Sequence, residues 1–290
     1  MSETTSDFDF ITRLQVIKQK EDKTKSGNPY LKLTLKDITG EISNLKAFPK
    51  WDMSEDLNDL YKKYDIGNIL EIEGEYSTTF KAKINKARVL EKNEINLADF
   101  IEVSNINSEE LFKEIEIIIS NLQNEELKRL LISIFSDNDL KKKYLECPSS
   151  IFKHHNYRHG NLEHTVSMLK IFNHLKEYYR RDTLLNIDLI YTGIILHDIG
   201  KTEEYTIFQG ISKKSQKGKL LGHIHIGANI VSQFIDDYEE FPEDLKNNIL
   251  HMILSHHGKE EWGAVVEPKT DEAIILHYLD MIDSRFKLNN

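Results

Sequence analysis

The chain has 290 residues, 39% of them hydrophobic and 30% charged, which is enough for two domains with separate cores and excludes a disordered or fibrous protein. A net charge of −10 excludes a protein that coats nucleic acid through bulk positive charge, while leaving room for a local basic groove. The single cysteine, Cys147, excludes a disulfide framework and a cysteine-rich zinc ribbon. A polar, acidic N-terminus and the lack of any run of ~18 apolar residues add the expectation of a cytoplasmic protein with no membrane partner.

The first strand is expected at about residues 10–19. From Tyr30 to Lys36 the residues alternate with period two, Leu31, Leu33 and Leu35 on one face and Lys32, Thr34 and Lys36 on the other, which predicts a half-buried antiparallel strand. Turn-rich Asp37-Ile38-Thr39-Gly40 leads into a third strand over 41–48, so these two form a hairpin. A short helical pattern at 55–61 precedes strands at 69–76 and 79–89. Three strands, a helix and two strands is the order of an OB-fold, a small five-stranded β barrel that commonly binds single-stranded nucleic acid. Tyr30, Phe48, Trp51, Tyr76 and Phe80 could stack on bases, and Lys32, Lys46, Lys81 and Lys83 could follow phosphates. Strand aromatics more often fill a core and alternating lysines more often face water, so the group carries more weight than any member.

A polar stretch over 96–107 separates this domain, residues 1–95, from helical patterns that run to the end of the chain. Residues 96–150 read as a helical linker and the start of the helical domain, with Ser108 as a helix N-cap and further helices at 125–135 and 137–145. Residues 151–290 form the second domain. Its long helix opens at Gly160-Asn161 and places Leu162, Val166, Leu169, Phe172 and Leu175 on one stripe, with His164 near its start and His174 turned to the surface. Residues 184–196 are apolar on nearly all sides and end in His197-Asp198-Ile199-Gly200-Lys201, a buried helix ending in an acid. Helices over 243–256 and 271–286 carry His256-His257 and Asp280.

All twelve histidines lie at or after position 154, and the residues after 95 carry 31 acidic against 22 basic side chains. Histidines and carboxylates spread over several helices can converge on metal ions, and an unpaired aspartate at the end of a buried helix is costly unless a cation meets it. Four lysines, Lys213, Lys214, Lys217 and Lys219, crowd the segment between Gln209 and His225 without an acid, a candidate clamp for a polyanion. Arg158 and His155 are further candidates for phosphate contact. His225, His251 and His277 read as packing or outer residues rather than ligands.

His164, then His197-Asp198 with Lys201, then Asp280 match the H…HD…D pattern of the HD-domain metal-dependent phosphohydrolases. Leu162-Glu163-His164-Thr165, Leu196 to Lys201, Leu221-Gly222-His223-Ile224 and Ser255-His256-His257-Gly258 resemble the 3'→5' exoribonucleases of the YhaM family, as does the run from Lys23 to Gly40. That family joins an N-terminal OB-fold to an HD domain, so the resemblance covers most of the chain in the right order. His159-Gly160-Asn161 departs from the paired glycines usual before its first ligand helix, and Leu279 replaces a small residue.

The resemblance implies one metal held by His164, His197, Asp198 and Asp280, and a second held by His223, His256 and His257 with Asp198 bridging. Mixed nitrogen and oxygen donors suit Mn²⁺ best, with Fe²⁺, Co²⁺, Zn²⁺ and Mg²⁺ as alternatives. Asp198 and Lys201 are the catalytic candidates, Lys201 as a cation for the charge developing on phosphate. The expected activity is metal-dependent 3'→5' hydrolysis of single-stranded RNA, with single-stranded DNA as a second substrate. Self-association is left open. The rival readings are a phosphodiesterase for a small nucleotide and a non-enzymatic nucleic-acid-binding protein.

Overall fold

The computed structural model describes residues 8–37, 39–50, 54–77, 81–96, 99–100, 107–149, 158–179, 185–208 and 211–286. Two compact units emerge, Met1–Val103 with Ile207–Lys213, and Ser104–Thr206 with Lys214–Asn290.

The first unit is built on β1 (Phe8–Lys23), β2 (Pro29–Asp37), β3 (Gly40–Ala47), α1 (Leu57–Lys63), β4 (Ile69–Ser77) and β5 (Lys81–Val89). The five strands form an antiparallel sheet in the order β3-β2-β1-β4-β5, open and barrel-like, with the helix where the OB-fold order places it. β1 is the shared spine: residues 8–15 pair with β4 and 15–23 pair with β2. A bulge between Val16 and Lys18 marks that change of partner, and such bulges bend and twist a strand. Leu31, Leu33 and Leu35 are fully buried beside Val16, Leu70 and Ile72, as the period-two pattern requires. Each such leucine contributes about 1.5–3 kcal/mol by leaving water. Asp56 and Asp59 cap α1 reciprocally, each side chain accepting the other's backbone N–H.

The helical region comprises α2 (Ser108–Asn121), α3 (Glu125–Ser136), α4 (Asn138–Glu146), α5 (Gly160–Tyr179), α6 (Ile187–Leu196), α7 (Lys201–Glu204), α8 (Gln216–Asp236), α9 (Glu243–Ser255) and α10 (Asp271–Phe286). Asn107, not Ser108, caps α2, accepting from the Glu109 N–H. α6 is the axis of the fold, every residue from Leu189 to Leu196 being buried. Its start is pinned by Asp188, whose carboxylate accepts the backbone N–H groups of Gln123 and Asn124 at 2.7 Å each. Around it one core joins Phe112, Leu131, Tyr144, Leu169, Phe172, Val231, Met252 and Leu276. Between α7 and α8 the chain forms a two-stranded hairpin, β6 (Tyr205–Phe208) and β7 (Ile211–Lys214), where no strand is expected from the sequence. Among the described residues, no helix is long and apolar enough to cross a membrane.

Candidate metal centre

Five helices bring their donor residues to one place. His164 lies in the second turn of α5, His197 caps the C-terminus of α6 with Asp198 following, and His256-His257 follow α9. Asp280 projects from α10. His223 depends on two glycines. Gly222 takes φ 69° and ψ 158° inside α8, a conformation that breaks the helix and restarts it at His223. At Gly200 a side chain would collide with the His223 carbonyl and the Gly227 nitrogen, so its absence lets the Asp198 turn lie directly against α8.

The donors fall into two groups. His164, His197 and Asp280 form one, and His223, His256 and His257 the other; within each, the ligand atoms lie within 4.8 Å of one another. Asp198 stands between them. Its Oδ2 is 3.2 Å from His197 Nε2, and its Oδ1 is 3.5 Å from His223 Nε2 and 3.7 Å from His256 Nε2. Lys201 Nζ reaches the same Oδ2 at 2.5 Å.

The imidazoles share one orientation. Nδ1 of His197, His256 and His257 lies 2.8, 2.7 and 2.9 Å from the carbonyls of Ile194, Ile253 and Trp262. Nδ1 of His164 is 2.7 Å from Asp283 Oδ2, and Nδ1 of His223 is 3.1 Å from Glu204 Oε2. A carbonyl or carboxylate oxygen only accepts, so Nδ1 of His164, His197, His256 and His257 carries a proton, and each of the five rings turns its Nε2 toward the centre. His197 Nε2, His223 Nε2, His256 Nε2 and Asp198 Oδ1 are buried and have no hydrogen-bonding partner among the described residues. Four orphaned acceptors facing one another are costly in a protein interior, and a cation resolves all four. The donor set therefore fits divalent metal, two imidazoles with carboxylates on one side and three imidazoles on the other.

Electrostatics follow from the same geometry. Burial opposes charge on Asp198, yet Lys201, His197 and His223 hold its carboxyl well below the usual range. Burial likewise opposes the His164 imidazolium, but Asp280 and Asp283 on its two nitrogens raise it to about 9. His256 faces other imidazoles instead, and burial with the charges of His257 and His197 pushes it well below its usual value. Glu204 is opposed by burial but drawn down to about 2 by His223 and Lys214.

The structure therefore gathers all seven ligand candidates, His164, His197, Asp198, His223, His256, His257 and Asp280, together with Lys201. The four-lysine segment is a different matter. Lys214 pairs with Glu204 at 2.8 Å and Lys217 pairs with Glu203, so both are engaged within the domain, while Lys219 is exposed. Lys213 lies on β7. Arg158 is exposed and bonded to Glu146 at 2.6 Å; His155 lies outside the described residues. His225 is exposed rather than packed, His251 accepts the Lys269 N–H, and buried His277 bonds through Nδ1 to the His256 carbonyl at 2.8 Å. His174 is exposed, as its helical angle requires.

On the five-stranded sheet, Tyr30 is buried and its ring stacks on exposed Phe48 at 5.1 Å between centroids, with the Lys46 ammonium 5.2 Å above Tyr30. Lys32 is half-buried on β2, and Trp51 and Phe80 lie outside the described residues. Tyr76 lies on β4, and Lys81 and Lys83 on β5.

Sequence reading missed the anchors of the histidines. Glu204 carries no periodic signal, lying in the Lys201-Thr202-Glu203-Glu204 turn. Asp283 carried one, since it stands one turn beyond Asp280 on the same helix face, and it also accepts from the Ser167 hydroxyl. His159 takes φ 75°, a conformation natural to glycine, where the resembling family has paired glycines; its Nδ1 is tied to the Leu145 carbonyl at 2.5 Å.

No solved structure matches the chain at a significant level. Residues 161–285, spanning His164 to Asp283, match the HD domain family. The helical region of this chain thus contains an HD domain, the domain of metal-dependent phosphohydrolases, and the converging histidines and aspartates lie within it.

Proposed function

We propose that the chain is a metal-dependent 3'→5' exoribonuclease that hydrolyses phosphodiester bonds of single-stranded RNA. One observation carries the hydrolytic part: two donor triads meet at Asp198, one carboxylate oxygen turned toward each. His164, His197 and Asp280 would hold one divalent ion, His223, His256 and His257 a second, with Asp198 shared. A bound pair of such ions supplies an activated water and neutralises the oxygens of the phosphodiester. The chain's own groups do the rest. The Nδ1 anchors hold the five rings in place before substrate arrives, so little reorganisation is needed. Lys201, buried and 2.5 Å from Asp198, sets a fixed positive charge where the phosphate oxygens gain negative charge.

The choice of RNA, and of its 3' end, rests on the resemblance to the YhaM family and on the five-stranded sheet. Exposed Phe48, backed by buried Tyr30 and flanked by Lys46, offers a stacking surface with a cation, the combination that single strands use without sequence preference. The test is direct. Protein loaded with Mn²⁺ is incubated with 5'-labelled single-stranded RNA, and a descending ladder of labelled products is expected. Intact RNA alongside cleavage of a small cyclic or linear dinucleotide would replace this reading with the small-nucleotide phosphodiesterase.

A further inference from the structure

Glu204 has no part in the seven-ligand set, yet it is one of the most enclosed carboxylates in the helical region, its side chain 1% exposed. A buried carboxylate is retained only when charge and hydrogen bonds meet it on several sides. Here Lys214 donates a hydrogen bond to one oxygen and the His223 ring stands at ion-pair distance from the other. His223 Nδ1 lies 3.1 Å from Oε2, and Lys214 Nζ, at the end of β7, lies 2.8 Å from Oε1. The backbone fixes the arrangement further, because the Ser215 N–H donates to the Glu204 carbonyl at 2.9 Å and the Ser215 hydroxyl donates to the Glu203 carbonyl at 2.7 Å. The short helix α7 is thus tied by its last residues to Ser215 at the start of α8.

We propose that Glu204 is a positioning residue for the second metal ion: it holds the Nδ1 side of His223 so that Nε2 faces Asp198, and Lys214 locks Glu204 in that role. This inference rests on the two-ion reading of the centre. His223 needs such support more than its neighbours do. His197 and His256 each close Nδ1 onto the carbonyl three residues earlier on their own helix, whereas His223 opens a helical segment after the Gly222 break and has no earlier turn to bond. A carboxylate on Nδ1 also makes the opposite nitrogen a stronger donor, and the loss of such a partner typically lowers metal affinity about 10–100-fold. The first group has the matching device in Asp283 behind His164, so each ion would have one carboxylate-backed imidazole.

Lys214 thus has a task other than gripping substrate: its ammonium engages the carboxylate beside His223.

The experiment is calorimetric titration of full-length, metal-free protein with Mn²⁺, and it reads affinity rather than turnover. Wild-type protein should bind two ions in resolvable steps. Glu204→Gln, which keeps the volume and an acceptor oxygen but loses the charge, should weaken one step about 10-fold, and Glu204→Ala the same step about 100-fold, with the other step unchanged. Asp283→Asn should weaken the opposite step, and Lys214→Met should weaken the Glu204-dependent step by less than Glu204→Ala does. Should Glu204→Ala fail to fold, Glu204→Gln and Lys214→Met decide the matter. Unchanged titrations in the Glu204 variants would overturn the inference while leaving the two-ion centre standing. Equal weakening of both steps would make Glu204 a packing residue and overturn it as well. A wild-type titration that ends at one ion would bring down the two-ion reading, and this inference with it.

Discussion

The proton on His164 makes ion binding sensitive to pH. In the metal-free protein Asp280 and Asp283 raise this imidazole to about 9, so near neutral pH it carries a proton on each nitrogen. An ion needs the Nε2 lone pair and must displace that proton. Affinity of the first group should therefore climb about tenfold per pH unit up to about pH 9 and then level off. Calorimetry in buffers of different ionisation heat should record about one proton released at neutral pH as the ion of the first group binds. The sign for stability is opposite. A raised imidazole stabilises the metal-free fold fully below the unfolded value of about 6.5, and that contribution fades as the pH rises through about 9. Urea unfolding in the presence of a chelator, run from pH 6 to 10, would show whether it does.

Lys201 is buried against Asp198, so Lys201→Ala should lower kcat about 10²–10³-fold while the protein retains two ions, as metal analysis beside steady-state kinetics would show. Loss of the ions in that variant would assign Lys201 to the ligand shell rather than to phosphate. The candidate ligands were legible in the sequence through their ordered resemblance to a known pattern, His164, His197-Asp198 and Asp280, since a lone His-Asp pair would read equally well as a surface turn. Glu204 was not, since its partners come from α8 and β7 and only the fold brings them together.

Among the elements, α8 shows how a local backbone choice serves the centre. Gly222, at φ 69° and ψ 158°, lies in a region that only glycine occupies readily, and the space around its Cα is open. Gly222→Ala should thus cost about 1–3 kcal/mol through backbone strain rather than collision, measurable as a lower urea midpoint. It should also weaken the His223-dependent ion, which a simple loss of stability would not. The strands of the first unit were readable because alternation with period two has one structural meaning when one face is buried, and β2 bears it out from Leu31 to Leu35. The β6–β7 hairpin was not readable. Its strands have four residues each, Tyr205-Thr206-Ile207-Phe208 and Ile211-Ser212-Lys213-Lys214, too short for any period to show, and Lys214 suggests a solvent-facing residue until Glu204 appears as its partner.

At the scale of the whole molecule, the apolar core around α6 lies within the helical region, so the donors are carried by a unit with its own hydrophobic support. Filling the centre should stabilise that unit by mass action, by about 2.7 kcal/mol for an ion at a hundred times its dissociation constant. Thermal unfolding with Mn²⁺ should therefore run about 5–10 °C above the same protein in chelator. A protein comprising residues 104–290 should keep cleavage of short oligonucleotides and lose affinity for long ones if the sheet unit delivers the strand. Equal activity on both lengths in the two proteins would remove that role from the sheet.

The proposed centre holds two ions, one on either side of Asp198. Anomalous scattering from crystals of the Mn²⁺-loaded protein tests it most directly. Two peaks are expected, one among His164, His197 and Asp280 and one among His223, His256 and His257, each within bonding distance of an Asp198 oxygen. A single peak, or peaks that do not touch Asp198, would contradict it.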